Sequence, residues 1–217
     1  MKNKLEYIGS VLHQEQVSLV TIAETTGTPS FVYSKAKLLE QYQALKDALE
    51  GLNFKINYSV KANSNLSILS LLKDEGSGFD IVSAGELGRV LAIGGDPTSV
   101  VFSGVGKSTE EIDFALKNDI GCINVESSSE LDRVIWRAKI LGRKARVSIR
   151  VNPDIDADTH PYISTGLKES KFGVPISHSL SLFEADNQSE HVSLEGIDCH
   201  TVSYTHLRAH ETDSYLV

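Results

Sequence analysis

One lysine in this sequence stands where its surroundings could make its amine reactive. Lys61 follows residues 56–60 (INYSV), a run whose apolar, aromatic and β-branched residues predict a buried strand. Partial burial favours the neutral form of an amine, and a neutral amine attacks carbonyl carbons. Lys61 is therefore a candidate for Schiff-base chemistry. The simpler alternative is a strand-end lysine that extends its ammonium group into water.

Further charged or titratable residues stand within strand-like runs or just after them. Asp80 lies within GFDIVS, Arg150 closes the run 146–150, and His200 closes the run 196–200. Glu86 lies where an apolar spacing of helical type begins. If these strands are parallel, their carboxyl ends share one edge of the sheet, and the charged residues gather there.

The elements that would position these residues alternate along the chain. Strands are predicted at 55–60, 79–83, 100–103, 122–125, 146–150 and 194–199, and helices at 65–74, 84–93, 109–117 and 128–141. Ser108 is placed to cap the third of these helices, with Glu110 and Glu111 in its first turn. Alternation at this spacing predicts βαβ units and a parallel sheet.

Six motifs carry a resemblance to a known family. They are YSVKANSN, GFDIVSAGEL, VVFSGVGKSTEEI, INVESSSEL, RVNPDIDADTHPYISTGLKESKFG and GIDCH, in this order. Over about residues 28–200 the chain resembles the pyridoxal-phosphate-dependent decarboxylases that have an alanine-racemase-type barrel. The stretches THPYISTG and SKFG favour the diaminopimelate branch over the ornithine and arginine branches.

The resemblance implies an α/β fold, a (β/α)8 TIM-type barrel that is truncated here after about strand six. Residues 1–34 would belong to a second, β-rich domain that is mostly missing, and residues 35–200 would form the partial pyridoxal-phosphate-binding barrel. The segment Gly27–Ser34 resembles the strand that crosses into that second domain. The family's phosphate-binding loop and the glutamate that pairs with the pyridine nitrogen would lie beyond the truncation.

The implied activity of the intact parent is decarboxylation of meso-2,6-diaminopimelate to L-lysine through a pyridoxal-phosphate Schiff base. Lys61 would carry the cofactor, His200 would stack on its ring, and Asp80 and Arg150 would form a charge pair beside it. Glu86 and Lys171 are weaker candidates for cofactor binding. His160 would shape the loop after the fifth predicted strand.

The family also implies a homodimer whose partner subunit completes the active site. Two alternatives remain open from the sequence. One is a homologue that binds pyridoxal phosphate without decarboxylating a substrate. The other is a decarboxylase of a different basic amino acid, of the ornithine or arginine type.

Two motifs are rejected. Residues 104–108 (GVGKS) imitate the end of a nucleotide-binding P-loop, but Val101 stands where that motif requires glycine. Lys107 is therefore expected to be a solvated loop residue, although its glycine-rich turn could still line the cofactor site. His206 and His210 have metal-ligand spacing. However, residues 202–212 (VSYTHLRAHET) resemble a translated sequencing adapter, so residues 201–217 are predicted to be a non-native tail and no metal site is expected.

Composition narrows the remaining classes. The chain has 217 residues and a net charge of −8, which argues against nucleic-acid binding. The residues after Met1 form no long apolar run, so neither a signal peptide nor a membrane span is expected. Two cysteines, Cys122 and Cys199, are too few for a disulfide framework, which favours a cytoplasmic location.

Overall fold

The computed structural model describes residues 5–152, 173–175, 177–179, 182 and 189–199. The chain divides into two units, residues 1–55 and residues 56–217. The domain boundary that the sequence places after residue 34 stays a prediction.

The first unit contains a small antiparallel sheet and two helices. Its strands are β1 (Leu5–Ile8), β2 (Val11–Gln14) and β3 (Val17–Ser18), and its helices are α1 (Leu19–Thr26) and α2 (Lys35–Ala48). Ser18 caps α1, because its side chain accepts hydrogen bonds from the backbone of Val20 and Thr21. Residues Gly27–Ser34 form no strand in this structure, and Phe31 is 91% exposed; their predicted place in the mostly missing second domain stays a prediction.

The second unit is built on parallel strands, as the sequence predicts. The strands are β4 (Asn57–Ser59), β5 (Gly78–Ile81), β6 (Val100–Phe102), β7 (Cys122–Val125), β8 (Ala145–Asn152) and β10 (Val192–Asp198). They lie in the order β4-β5-β6-β7-β8-β10, and the two-residue strand β9 (Val174–Pro175) pairs with the end of β8. Each strand therefore lies beside the next along the chain, which is the arrangement of part of a TIM-type barrel.

Helices connect these strands within the bounds that the sequence predicts, to one residue. They are α3 (Leu66–Asp74), α4 (Ala84–Ala92), α5 (Thr109–Lys117) and α6 (Ser128–Leu141). The predicted cap of α5 is confirmed as a full capping box, in which Ser108 accepts from the backbone of Glu111 and the Glu111 carboxylate accepts from the backbone of Ser108. Two short 3₁₀ turns, Val60–Ala62 and Pro97–Ser99, follow β4 and precede β6.

The two faces of the parallel sheet differ sharply in chemistry. One face packs against the helices and carries the apolar core, which includes Phe79, Ile81, Phe102, Ile123 and Ile149, each at most 1% exposed. The residues that alternate with these along each strand point to the opposite face. Those residues are mostly polar: Asn57, Ser59, Asp80, Asn124, Ser148 and Asp198. The helix-facing side therefore supplies the core, while the concave side is left to form a site.

Glycine is required where backbones approach closely at the starts of two strands. A Cβ on Gly78 would lie 2.6 Å from the carbonyl oxygen of Ser99, and one on Gly121 would lie 2.4 Å from that of Thr98. Real Cβ atoms do not approach backbone oxygens so closely. The tight pairing of β5 and β7 with their neighbours therefore depends on the missing side chain.

Candidate functional site

A cleft of about 520 Å³ lies on the polar face of the sheet. This volume lies within the range of small-molecule sites. Its wall is formed by residues of the parallel strands and of the turn after β6: Asn57, Ser59, Asp80, Val101, Ser103, Cys122, Asn124, Ser148, Glu195, Gly196, Ile197 and Asp198. Of the residues predicted to gather at the carboxyl ends of the strands, the structure describes Lys61, Asp80 and Arg150, and among these three Asp80 forms part of the wall.

Asp80 lines this cleft, as the sequence predicts for a site residue. Its two carboxylate oxygens each accept a hydrogen bond from a hydroxyl group on a neighbouring strand or turn. Ser59 Oγ donates to Oδ2 at 3.1 Å, and Ser103 Oγ donates to Oδ1 at 2.6 Å. Bonds to an ionised acceptor are stronger than neutral ones, so the two hydroxyls hold the carboxylate in one orientation.

Lys61 lies in the 3₁₀ turn directly after β4, two residues beyond the cleft-lining Ser59. Its side chain is exposed and is not among those that form the cleft wall. Among the described residues, Lys61 makes no hydrogen bond or ion pair. Lys61 is thus exposed rather than partly buried as expected, and its role in the cofactor site stays a prediction.

Arg150 is buried, but its partner is not the one predicted. The predicted charge pair of Asp80 and Arg150 is wrong, because Arg150 Nη1 binds Glu126 Oε1 at 2.8 Å and Asp80 is engaged by the two serines. Arg150 Nε also lies 3.8 Å from Oδ2 of Asp198, which lines the cleft. Of these two carboxylates, that of Glu126 lies nearer to the guanidinium.

Lys107 is not a solvated loop residue, and that expectation is wrong. The residue is 2% exposed, and its Nζ donates to the carbonyl oxygens of Gly104 at 2.7 Å and Asn124 at 2.6 Å. It also forms a buried ion pair with Glu130 at 3.4 Å. Desolvation lowers the pKa of Lys107 from its usual value, and the attraction of Glu130 and Glu126 offsets this only partly.

Glu126 and Glu130 connect Lys107 to Arg150 in one buried chain of charges. The backbone N–H of Glu126 donates to the Glu130 carboxylate at 2.8 Å, and Glu126 Oε1 also accepts from the backbone of Gly104 at 3.2 Å. Two positive and two negative side chains thus form one buried cluster: Lys107, Arg150, Glu126 and Glu130. They join the turns after β6 and β7 to β8.

Glu86 has a local role in the structure. Its carboxylate accepts from the backbone N–H of Val82 at 2.7 Å, and its own backbone N–H donates to the capping hydroxyl of Ser83. Both contacts stabilise the first turn of α4. Its proposed contact with a cofactor stays a prediction.

The remaining predicted residues lie outside the described part of the chain. These are His160, Lys171 and His200, together with the predicted non-native tail at 201–217. Their proposed roles stay predictions.

Sequence reasoning missed the polar residues of the cleft wall other than Asp80, and it missed Glu126, which contacts Arg150. Ser59, Ser103, Asn124 and Ser148 all line the cleft, and the signal that identifies the three within strands is their two-residue alternation with apolar neighbours. Glu126 directly follows β7, so it has the same strand-end position that singled out Arg150. That rule applied to every strand would have found it.

Cys122 lines the cleft, but its thiol is not expected to act as a nucleophile. Cys122 is partly buried, and desolvation raises the pKa of its thiol above the usual value. Within the described residues no group of three or more histidine, cysteine or acidic side chains is arranged to hold a metal ion. No helix in the same part of the chain is long and apolar enough to cross a membrane.

The cleft is large enough for the pyridine aldehyde part of the cofactor that the resemblance implies, but the described residues that line it include no cation for its phosphate. Asn57 Oδ1 is a buried acceptor without a hydrogen-bond partner in the described chain, and it lies against Gly78. Asp80 supplies a fixed negative charge, and Lys61 supplies an amine in the turn after β4.

Comparison with known proteins assigns residues 35–211 to the family described as pyridoxal-dependent decarboxylase, pyridoxal binding domain. The diaminopimelate decarboxylase of Pseudomonas aeruginosa is 52% identical over 194 residues, which cover 89% of this chain and 47% of that relative. The chain therefore spans about half the length of the curated relative that it matches.

Two solved structures differ in how similar they are to this chain. The crystal structure of diaminopimelate decarboxylase from Helicobacter pylori in complex with L-lysine is 47% identical, with a TM-score of 0.80 over 83% of this chain and 46% of that one. The lysine decarboxylase from Selenomonas ruminantium is 26% identical, with a TM-score of 0.71 over 88% of this chain and 46% of that one. This chain is thus more similar to the former enzyme than to the latter.

Proposed function

The chain belongs to the pyridoxal-dependent decarboxylase family, and from this premise we propose that it is part of an enzyme that decarboxylates meso-2,6-diaminopimelate to L-lysine and carbon dioxide. The observation that carries the proposal is the identity of 52% to a diaminopimelate decarboxylase over 89% of the chain. The lower identity to a lysine decarboxylase, 26%, supports the choice of substrate.

Lys61 would hold the cofactor through its amine. The family motif YSVKANSN places this lysine at a strand end, and its side chain is exposed in the turn two residues after the cleft-lining Ser59. Since no partner in the described residues engages the amine, it is available to a carbonyl carbon. His200, Lys171 and Glu86 remain proposed contributors to cofactor binding.

Pyridoxal phosphate, when bound, supplies an electron-poor ring that accepts the electron pair released as the bond to the carboxylate breaks. Asp80 presents a fixed carboxylate to the cleft, where it would attract the cationic end of the bound molecules. Arg150, held by Glu126, lies behind Asp198 and would oppose the negative charge at that side of the wall. The concave face thus binds and orients, while the apolar core behind it keeps the strands in register.

Joining residues 1–200 to the C-terminal half of the Pseudomonas aeruginosa relative would test the function directly. The chimera should release carbon dioxide and L-lysine from meso-2,6-diaminopimelate, and should act at least tenfold more slowly on ornithine and arginine. A chimera that binds pyridoxal phosphate without releasing carbon dioxide would favour the non-catalytic homologue. Preference for ornithine or arginine would favour the other decarboxylase branch.

The same proposal extends to assembly and location. We propose a homodimer for the full-length protein, supported by the family resemblance, and a cytoplasmic location, supported by two cysteines that form no disulfide with each other. Light scattering of the chimera would measure its mass. A monomer with full activity would contradict the proposed dimer.

A further inference from the structure

A chain of hydrogen bonds crosses the concave face of the sheet and ends on Asp80. Ser148 Oγ donates to Asn124 Oδ1, Asn124 Nδ2 donates to Ser103 Oγ at 3.1 Å, and Ser103 Oγ donates to Asp80 Oδ1 at 2.6 Å. The four residues come from β8, β7, the turn after β6, and β5. We call this chain, Ser148–Asn124–Ser103–Asp80, the polar ladder.

The ladder has a direction, which the chemistry of its groups fixes. A hydroxyl group has one proton, so Ser103 can donate to Asp80 only if its oxygen accepts from Asn124. Asn124 therefore turns its amide nitrogen towards Ser103 and its oxygen towards Ser148. Hydrogen bonds in such a chain polarise one another, and every donor in this one points towards the carboxylate.

Burial makes the ladder costly to disturb. Asn124 is 5% exposed and Ser148 is 7% exposed, so water is poorly placed to replace a lost partner. Asp80 is also engaged from its other side by Ser59. Its carboxylate is thus fixed from both neighbouring positions, although it lines an open cleft.

We propose that Ser103 is a positioning residue for Asp80, and that the polar ladder aims the Asp80 carboxylate at the cationic part of the ligand in the cleft. The proposal rests on the proposed function only in taking pyridoxal phosphate as that ligand. Neither Ser103 nor Asn124 is required to touch the ligand.

The experiment measures pyridoxal phosphate capture by the 217-residue chain. Occupancy of Lys61 is fixed by borohydride at increasing cofactor concentration and read by mass spectrometry, which gives an apparent affinity. Ser103→Ala should weaken that affinity about three- to tenfold, the size of one typical net hydrogen bond. Ser103→Thr keeps the hydroxyl and should stay within about twofold of the parent.

Asn124→Asp tests the direction of the ladder with almost no change in shape. The new carboxylate cannot donate to Ser103, and it competes with Asp80 for the hydroxyl proton of Ser103. The affinity for pyridoxal phosphate should therefore fall as it does in Ser103→Ala. An unchanged affinity in Asn124→Asp, with the fold intact, would overturn the proposed direction and with it the ladder.

Whether the effect of Ser103→Ala depends on Asp80 distinguishes a positioning role of Ser103 from a general structural role. In an Asp80→Asn background, Ser103→Ala should have little further effect on affinity, because the carboxylate that it positions is gone. An equal loss of affinity in both backgrounds would overturn the proposal.

If the parent chain shows no saturable capture at Lys61, the proposed function fails on this chain, and the ladder is judged on folding alone. Urea unfolding of Ser103→Ala, Asp80→Asn and the double variant then measures the coupling of the two side chains. Independent effects would overturn the ladder, and a clear coupling would support it without the cofactor.

Discussion

Glu126 Oε1 lies 2.8 Å from Arg150 Nη1, and the two side chains are 4% and 11% exposed. Water cannot easily solvate either charge if the other is removed. Such pairs contribute less through their attraction than through the penalty of leaving one charge alone in a buried place.

Replacing Glu126 by glutamine should therefore destabilise the second unit, by up to about 3–5 kcal/mol, because it removes the nearer of the two carboxylates at the Arg150 guanidinium and leaves Asp198 at 3.8 Å. The double variant Glu126→Gln/Arg150→Met should recover part of the loss. Urea unfolding measures the free energies. The matched control is Asp119→Asn, which breaks the more exposed ion pair with Arg146 and keeps a residue type that tolerates the φ of 53° at this position. Its cost should be below about 1 kcal/mol. Equal losses in both variants would contradict the burial argument.

Lys107 should make stability depend on alkaline pH. Its pKa in the folded chain is lowered from 10.5, chiefly by desolvation, so just below pH 10.5 the unfolded chain binds more protons at this site than the folded chain. The contribution of Lys107 to the free energy of unfolding therefore increases as the pH rises from the folded-state pKa of Lys107 towards 10.5.

The measurement is the difference in unfolding free energy between the parent and Lys107→Met along a pH series. As the pH rises, the unfolding free energy of the parent should increase relative to that of Lys107→Met. Contributions from other titrating groups, such as Cys122, are common to both proteins and cancel in the difference. The exposed Lys144→Met should give a flat difference. A flat line for Lys107→Met would show that the attraction of Glu130 and Glu126 offsets the desolvation of Lys107 in full, contrary to this prediction.

Gly78 and Gly88 should respond oppositely to alanine. A Cβ on Gly78 would meet the Ser99 carbonyl oxygen at 2.6 Å, whereas one on Gly88, inside helix α4, has nothing within 4 Å. Gly78→Ala should cost about 1–3 kcal/mol by overpacking. Gly88→Ala should instead raise the free energy of unfolding by about 0.5–1 kcal/mol, because alanine is the better helix former. Thermal unfolding of both variants gives the comparison, and a neutral Gly78→Ala would mean that the starts of β5 and β6 can move apart without cost.

Borohydride reduction of the chain with pyridoxal phosphate should place the label mainly on Lys61. Peptide mapping identifies the labelled lysine, and Lys61→Arg should remove the label while Lys55→Arg, an exposed lysine six positions earlier, should not. Labelling spread evenly over the exposed lysines would refute a special role for Lys61.

Deleting Val202–Val217 should leave the unfolding free energy and the labelling of Lys61 unchanged. The reason is the predicted non-native origin of the tail, whose polar sequence lacks a sustained apolar face. A clear loss of either property would show that these residues belong to the fold.

The parallel sheet could be predicted from the sequence because each strand and helix carries its own local signal. Apolar runs such as that around Phe79, and caps such as Ser108, depend on neighbours within a few positions. Asp80 could be placed in the site by the same means, since its strand position determines which face it meets.

Partners across the sheet could not be predicted in this way. Whether Arg150 pairs with Asp80 or with Glu126 depends on distances between strands that are far apart in sequence, and a rule based on strand ends favours neither. Lys107 was misjudged for a related reason. The sequence shows a polar residue in a glycine turn, but only the folded turn shows that two carbonyl oxygens and Glu130 enclose its amine.

The separation of an apolar face from a polar face on every strand has a consequence for how such a protein can change over generations. Side chains such as Val101 and Ser148 meet the cleft, while their immediate neighbours Phe102 and Ile149 meet the core. A mutation that alters what the cleft recognises therefore leaves the residues that hold the fold untouched. At cleft positions outside the buried polar ladder, new substrate preferences can therefore accumulate one residue at a time with little effect on the apolar core.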